Sequence, residues 1–187
     1  HEIDENYVEF LARGGIRDAW LYEGKYASSS DRVILKTLHW DKQYTEEDYY
    51  KQRNDALILE RLTSSPHVID VFGFCGTSTF NEFAGGSSNF NEYLLRHKKT
   101  EPEDLLAFAR NVTIGLADVH EIGINNKAAD GDVPRLPRDL GTVVHHDLHP
   151  RNLLLTNDLQ VKLSDFNTAQ LLMWNVEQNK SCGALWD

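Results

Sequence analysis

Three polar residues in the last third of the chain have types and a spacing that suit phosphate chemistry. Asn152 lies five positions after Asp147, and Asp165 lies thirteen positions after Asn152. An aspartate such as Asp147 can orient an attacking hydroxyl group, while an asparagine and a second aspartate supply oxygen ligands that Mg²⁺ prefers. The spacing therefore predicts a site for a magnesium-bound phosphate chain, with Asp147 catalytic and with Asn152 and Asp165 as metal ligands.

A short hairpin is expected to set the distance between Asn152 and Asp165. The Asn157-Asp158 pair is typical of a turn, and apolar residues predominate on both sides of it. We therefore predict two short strands, over residues 152–156 and 160–163, that bring the two metal ligands to the same loop region.

Histidines are also frequent near Asp147, and a metal cluster is the alternative interpretation. His145 and His149 would share a face only on a helix, and Pro150 argues against a helix there. We therefore interpret His145 as a buried structural histidine.

The first half of the chain indicates a strand-rich part that contains one helix. Thr45 can cap a helix whose first turn is acidic, and that helix should run to about Leu62. Strands are predicted over residues 11–21, 32–38, 68–74 and 77–83, with a turn-prone stretch at 27–31.

The second half indicates helices after a flexible connector at residues 85–88. A short helix is predicted over 89–98, and the pair Thr100 and Glu103 is typical of a capping box for a longer one. Gly123 can end that helix, and residues 125–142 are expected to form a surface loop. The apolar face of the longer helix is predicted from helical spacing to comprise Leu105, Ala109, Val112, Leu116 and Val119.

The composition fits one globular domain, or part of one, and excludes several classes of protein. Of the 187 residues, 41% are hydrophobic and 26% are charged. The formal net charge of −10 leaves no excess of Lys and Arg for nucleic-acid phosphates, so no nucleic-acid partner is expected. No apolar run approaches membrane-spanning length. Cys75 and Cys182 match no metal or redox spacing, which indicates free thiols of a reducing compartment, with the cytoplasm favoured.

Several segments, taken in order, resemble protein kinases. Residues 145–152 (HHDLHPRN) resemble H-R-D-L-x-x-x-N, and residues 164–167 (SDFN) contain a variant of D-F-G. Residues 33–36 (VILK) resemble V-A-I-K, and residues 11–20 resemble a degraded glycine-rich loop. Residues 81–87 (NEFAGGS) resemble the hinge that binds adenine. Each segment alone is weakly specific, but the ordered set covers nearly the whole chain.

The resemblance implies an α+β fold of two lobes and a division of the chain between them. Residues 1–84 would form the small β-rich lobe with one helix, and residues 85–88 the hinge. Residues 89–187 would form the first part of the helical lobe, ending in the activation segment. The chain begins with His1 and shows no A-P-E segment before Asp187, so a truncated domain is expected.

The resemblance also implies an ATP- and Mg²⁺-dependent kinase that phosphorylates a hydroxyl side chain of a protein substrate. Lys36 would hold the α and β phosphates and pair with Asp55, which shares a helix face with the core residues Ile58, Leu59 and Leu62. The cofactor-binding residues implied in this way are Gly14, Gly15, Ile34, Lys36, Glu82, Ala84, Asn152 and Asp165.

Departures from the family pattern cluster in the first half of the chain. Ala12 and Arg17 stand where the glycine-rich loop has its first and third glycines, so that Arg17 could either supply a charge or obstruct the site. Ile34 is larger than the usual alanine and should narrow the adenine pocket. Asp55 is about 1.5 Å shorter than the usual Glu. In the second half, Asn167 replaces the glycine of D-F-G and His149 replaces the loop lysine.

Two other functions remain open from the sequence. The altered glycine-rich loop and Ile34 favour a pseudokinase that binds nucleotide or acts as a scaffold. Residues 147–152 (DLHPRN) also resemble the D-L-H-P-x-N loop of aminoglycoside and choline phosphotransferases, which favours a small-molecule kinase. The sequence does not distinguish Ser/Thr from Tyr specificity.

Overall fold

The structure is a computed structural model that describes residues 7–24, 32–122, 141–175, 177–178 and 180–181. It contains a five-stranded antiparallel sheet with one helix, followed by a helical part with two small sheets. The expected α+β fold is therefore confirmed. Within the described ranges, no helix is both long and apolar enough to cross a membrane.

The large sheet has the strand order β1-β2-β3-β5-β4. Its strands are β1 (Val8–Arg13), β2 (Arg17–Glu23), β3 (Arg32–Leu38), β4 (Val71–Cys75) and β5 (Ser78–Glu82). The bounds predicted for β3 are confirmed.

The prediction of one continuous strand over residues 11–21 was wrong, because a turn at Gly14 divides it into β1 and β2. The backbone N–H of Gly14 donates to the carbonyl of Arg17 at 2.8 Å and closes this turn. A Cβ atom at Gly14 would lie 2.9 Å from the same oxygen, so the turn requires glycine.

Helix α1 (Glu46–Leu62) begins where the sequence predicts. Thr45 caps it, since its hydroxyl accepts from the N–H of Asp48 and the Asp48 carboxylate accepts from the N–H of Thr45. Ala56, Leu59 and Leu62 are among its buried residues. Leu59 and Leu62 belong to the apolar core, which also contains residues of the large sheet and of the helical part that follows it. Asp55 lies on the same buried face, as expected.

Helices α2 (Phe90–Arg96) and α3 (Pro102–Glu121) differ from the predictions in detail. The expected Thr100 capping box is absent, because the Thr100 hydroxyl donates to the carbonyl of His97 and Pro102 starts α3. Leu105 and Ala109 are exposed rather than part of the buried face. The face that packs inward comprises Phe108, Val112, Gly115, Leu116 and Val119.

The helical part also contains two three-stranded sheets. One has the order β6 (Gly85–Asn89), β8 (Leu153–Thr156) and β9 (Val161–Leu163), which confirms the predicted hairpin on either side of Asn157-Asp158. The other consists of β7 (Gly141–Val144), β10 (Gln170–Asn175) and β11 (Lys180–Ser181). The sequence did not predict β7, β10 or β11.

Two predictions about connecting segments need correction or lie outside the described residues. Residues 85–88 were predicted to be a flexible connector, but they belong to β6, where Gly85 pairs with Thr156 and Asn89 with Leu154. The interstrand pairing fixes this segment against β8. The expected end of α3 at Gly123 and most of the loop at 125–142 lie outside the described residues, whereas residues 141–142 belong to β7.

One apolar core joins the two parts of the molecule. It includes Leu59 of α1, Val119 of α3, Leu163 of β9 and Phe166. Val68 forms a parallel bridge with Leu163, and the Leu163 N–H donates to the carbonyl of the residue before Val68 at 2.8 Å. The strand that leads to Asp165 is therefore bonded directly to the segment that follows α1.

Candidate active site

The loop that carries Asp147 is held by Asn152. The Asn152 amide nitrogen donates to the backbone carbonyl and to Oδ2 of Asp147, both at 3.0 Å. Residues Pro150–Asn152 form a 3₁₀ turn that His149 caps, because its Nδ1 accepts from the N–H of Arg151 at 3.2 Å. The Asp147 side chain remains 44% exposed, so its carboxylate is open to a substrate that approaches from solvent.

His149 also approaches the Asp147 carboxylate. Its Nε2 lies 3.5 Å from Oδ1 of Asp147, and both side chains are partly exposed. The imidazole at the position of the loop lysine therefore lies beside the Asp147 carboxylate.

Asn152 connects this loop to the segment before Asp165. Its backbone carbonyl accepts from both the N–H and the hydroxyl of Ser164, each at 2.9 Å. Asn152 is itself buried. Asp147 and Asn152 are thus in direct contact. Asp165 directly follows Ser164, which is bonded to Asn152.

Asp165 has an unusual backbone conformation. Its φ angle is +66°, in the left-handed region that non-glycine residues seldom adopt and that Asp tolerates better than most. Its Oδ1 atom is buried and has no hydrogen-bond partner. Strained residues with unsatisfied polar atoms are commonly found at functional sites.

His145 packs beneath Asp165 and confirms the interpretation of a buried structural histidine. Its Nε2 lies 3.0 Å from the carbonyl of Ser164, and its ring centroid lies 4.6 Å from that of Phe166. Burial lowers the pKa of His145, against the opposing effects of the Ser164 carbonyl and of nearby carboxylates. His145 is therefore predominantly neutral near pH 7 and supports the Asp165 segment by packing.

Lys36 faces a cavity under the β1–β2 turn, which we call the Lys36 cavity. This cavity has a volume of about 210 Å³. Burial lowers the pKa of Lys36, as does the positive charge of Arg17, whereas Asp55 and Asp165 oppose the shift. The lining residues are Ala12, Arg13, Gly14, Gly15, Ile16, Arg17, Asp18, Ala19, Lys36, Asp165 and Asn167. The structure thus places the expected glycine-rich segment, the lysine and the second aspartate around one space.

Asp55 has a different partner from the one the sequence predicted. Its Oδ2 atom lies 2.5 Å from Nη2 of Arg17, and its Oδ1 atom accepts from the backbone N–H of Phe166 at 2.7 Å. Among the described residues, Lys36 forms no direct ion pair. The expected Lys36–Asp55 pair is therefore replaced, since the long Arg17 side chain reaches the short carboxylate from β2.

The charge of Asp55 is stabilised by these contacts. Burial by itself would raise the pKa of the Asp55 carboxyl, but Arg17, Lys36 and the Phe166 N–H together hold it below its usual value. Asp55 is therefore ionised at neutral pH, although its side chain is fully buried.

The residues expected to bind adenine lie apart from the Lys36 cavity. Glu82 and Ala84 line a second cavity of about 500 Å³, which we call the Glu82 hollow. The Glu82 carboxylate binds Nζ of Lys162 at 2.7 Å through both oxygens, and its backbone N–H donates to the carbonyl of Asp70. Ile34 pairs with Leu21 and Asn81 in the sheet and lines neither cavity.

Sequence reasoning missed two features of the site. It did not predict that Arg17 binds Asp55, although an arginine at a glycine position together with a shortened acid was a usable signal. It also missed the cluster of Glu82, Lys162 and Asp70, in which burial and the charge of Glu82 raise the pKa of Asp70. No local pattern indicates that cluster, because its members come from three separate strands or connections.

The residues at the expected metal site fit a magnesium ion. The Oδ1 atom of Asp165 is unsatisfied, and the amide nitrogen of Asn152 is engaged with Asp147, which leaves the amide oxygen as its ligand atom. Carboxylate and amide oxygens are hard ligands of the kind that Mg²⁺ takes. Asn152 and Asp165 are accordingly the residues that would hold the ion.

Comparison with known proteins finds a family model and several relatives that match most of the chain. The family model of the protein kinase domain matches residues 13–186. The chain is 26% identical over 176 residues to PR5-like receptor kinase of Arabidopsis thaliana, and 26% identical over 187 residues to mitogen-activated protein kinase kinase 9 of that plant. It is 25% identical over 178 residues to receptor-interacting serine/threonine-protein kinase 2 of Bos taurus.

These matches cover most of this chain and less of the relatives. They span 91%, 96% and 93% of the chain, in the same order, but only 23%, 50% and 30% of the three relatives. The chain therefore spans half or less of the length of the curated relatives named here.

Proposed function

This chain belongs to the protein kinase family, and from that membership we propose that it transfers the γ-phosphoryl group of ATP to a hydroxyl side chain of a protein substrate. One observation carries the proposal. Asn152 bonds to Asp147 through its amide and to Ser164, the residue before Asp165, through its carbonyl, so that one residue holds both segments. Lys36 and Asp165 line the same cavity.

We assign the steps to the chain's own residues. Asp147 accepts a hydrogen bond from the substrate hydroxyl and orients its oxygen, since its carboxylate is fixed by Asn152 and still open to solvent. Lys36 supplies a positive charge to the phosphate groups within the Lys36 cavity. Asn152 and Asp165 would hold a magnesium ion, which would neutralise phosphate charge. Most of the rate enhancement comes from positioning and electrostatic stabilisation.

The test is the Asp147→Asn variant. It keeps the shape of the side chain and its contact with Asn152, but it removes the carboxylate that orients the hydroxyl. We expect phosphotransfer to a mixed peptide library to fall by about 10²–10⁴-fold. Thermal stabilisation by Mg-ATP should remain within about twofold of wild type in apparent Kd.

The matched control is Glu103→Gln, which removes one negative charge from an exposed position of α3. It should leave both phosphotransfer and nucleotide binding unchanged. Full activity in Asp147→Asn would reject the role assigned to Asp147. Phosphate appearing on a sugar or an amino alcohol, and on no peptide, would instead favour a small-molecule kinase.

A second candidate function is a pseudokinase that binds partners without phosphotransfer. The observation that favours it is the Arg17–Asp55 pair, which occupies the carboxylate that Lys36 was expected to bind. A thermal-shift titration of wild type separates the two functions. Failure of millimolar Mg-ATP to raise the unfolding temperature would favour the pseudokinase.

A further inference from the structure

Arg17 is a buried cation that the proposed transfer step does not use. Its side chain is 7% exposed, and that of its partner Asp55 is fully buried. Buried charges are costly unless they are paired, so this ion pair fixes both side chains firmly. The Nη2 atom of Arg17 lies 2.5 Å from Asp55 Oδ2 and 4.0 Å from Asp165 Oδ1.

The pair connects three elements that surround the Lys36 cavity. Arg17 is the first residue of β2 and its carbonyl closes the turn with Gly14. Asp55 lies in α1, and its second oxygen accepts from the backbone N–H of Phe166, the residue after Asp165. A single carboxylate thus joins the phosphate-side turn, α1 and the metal-ligand segment.

The Arg17–Asp55 pair also determines which carboxylate Lys36 can bind. Two cations, Arg17 and Lys36, lie near two carboxylates, Asp55 and Asp165. Arg17 binds the Asp55 carboxylate at hydrogen-bond distance. The Lys36 ammonium therefore has no direct ion pair among the described residues. Lys36, Arg17 and Asp165 line the cavity, whereas Asp55 is fully buried and does not line it.

We propose that Arg17 is a positioning residue, which replaces Lys36 as the partner of Asp55 and so leaves the Lys36 ammonium free for the phosphate groups of the nucleotide. The inference rests on the proposed nucleotide binding. In this arrangement the longer Arg17 side chain compensates for the shorter Asp55, and the pair holds Phe166 so that Asp165 stays at the cavity. The opposing hypothesis, that Arg17 obstructs the cavity, predicts the opposite change in nucleotide affinity when Arg17 is removed.

The first experiment measures the pair without nucleotide. Unfolding temperatures are compared for wild type, Arg17→Met, Asp55→Asn and the double variant, with the exposed Arg53→Met of α1 as the matched control. Each single variant should lower the unfolding temperature by about 10 °C, because it leaves one buried charge unpaired. The double variant should lose clearly less than the sum of the two single losses, and Arg53→Met should change little. Additive losses would overturn the pairing.

The second experiment measures apparent Kd for Mg-ATP by thermal shift. Arg17→Met should weaken binding by about tenfold, and the conservative Arg17→Lys should recover part of that loss. The variant Arg17→Gly/Asp55→Glu should also bind better than Arg17→Gly alone, because the longer Glu can reach Lys36. Tighter binding by Arg17→Met, or no recovery by Asp55→Glu, would overturn the positioning role.

The two experiments separate this inference from the proposed function. If wild type shows no response to Mg-ATP while the double-variant cycle shows coupling, the proposed function fails and the Arg17–Asp55 pair stands. In that case the part of the inference that concerns Lys36 and phosphate is overturned. If Mg-ATP binds and the cycle is additive, the proposed function stands and the inference fails.

Discussion

Two regions of the molecule hold their polar groups in different ways. On the catalytic-loop side, Asp147, Asn152 and Asp165 lie close together in sequence and are linked through hydrogen bonds of one loop and one hairpin. On the phosphate side, Arg17 of β2 and Asp55 of α1 are separated by 38 positions and meet through a buried ion pair.

The two regions differ in the kind of interaction that holds them together. The catalytic-loop side is held by hydrogen bonds within one loop and one hairpin, so short spacings in the sequence indicate it. The phosphate side depends on charge balance, which another cation from a neighbouring strand can supply. An arginine at a glycine position of the family pattern and an aspartate in place of the usual Glu are here the two partners of one buried ion pair.

The strongest test of this comparison is Phe166→Ala, since Phe166 lies where the two sides meet. Its side chain is fully buried, it packs against His145, and its N–H binds Asp55. We expect a loss of about 3–5 kcal/mol in the free energy of unfolding, from lost burial and the cavity left behind. Urea denaturation followed by circular dichroism measures it.

Phe72→Ala is the matched control for that measurement, because Phe72 is 62% exposed on β4. The control should lose much less stability than Phe166→Ala. Equal losses in the two variants would show that Phe166 does not join the two regions.

A smaller loss of stability is expected from Gly14→Ala on the phosphate side. The new Cβ atom would lie 2.9 Å from the carbonyl oxygen of Arg17, so the turn must open and displace the residue that binds Asp55. We expect a loss of about 1–3 kcal/mol in the free energy of unfolding. The neighbouring Gly15→Ala serves as the control, because no heavy atom outside Gly15 and its two chain neighbours lies within 4 Å of its Cβ position. A loss in Gly15→Ala as large as that in Gly14→Ala would contradict the steric argument.

The smallest effect is expected from His145→Gln on the catalytic-loop side, which should change how the stability of the protein depends on pH. Burial holds the pKa of His145 in the folded protein below its usual value of 6.5. The contribution of His145 to stability is therefore fully present above pH 6.5 and is lost as the pH falls through its folded pKa. In His145→Gln, the decline of stability below pH 6.5 should be shallower by up to about 1.4 kcal/mol per pH unit. Parallel pH profiles for the two proteins would count against this burial effect.

Much of the fold could be predicted because its signals are local. The cap at Thr45, the bounds of β3 and the hairpin around Asn157-Asp158 follow from residue types within a few positions. Predictions failed where partners distant in sequence decide the structure. Leu105 is exposed because the packing of α3 against β7 and β9 selects a different face, and residues 85–88 form a strand because β8 pairs with them.

The amino-acid sequence alone indicated the family through an ordered set of segments, and it indicated that Asp147 and Asn152 lie together close to the segment that carries Asp165, because short spacings within one loop and one hairpin set these distances. Only the tertiary structure decided that Asp55 binds Arg17 rather than Lys36. The reason is that partner choice among buried charges depends on reach and direction between separate elements, which linear spacing does not specify.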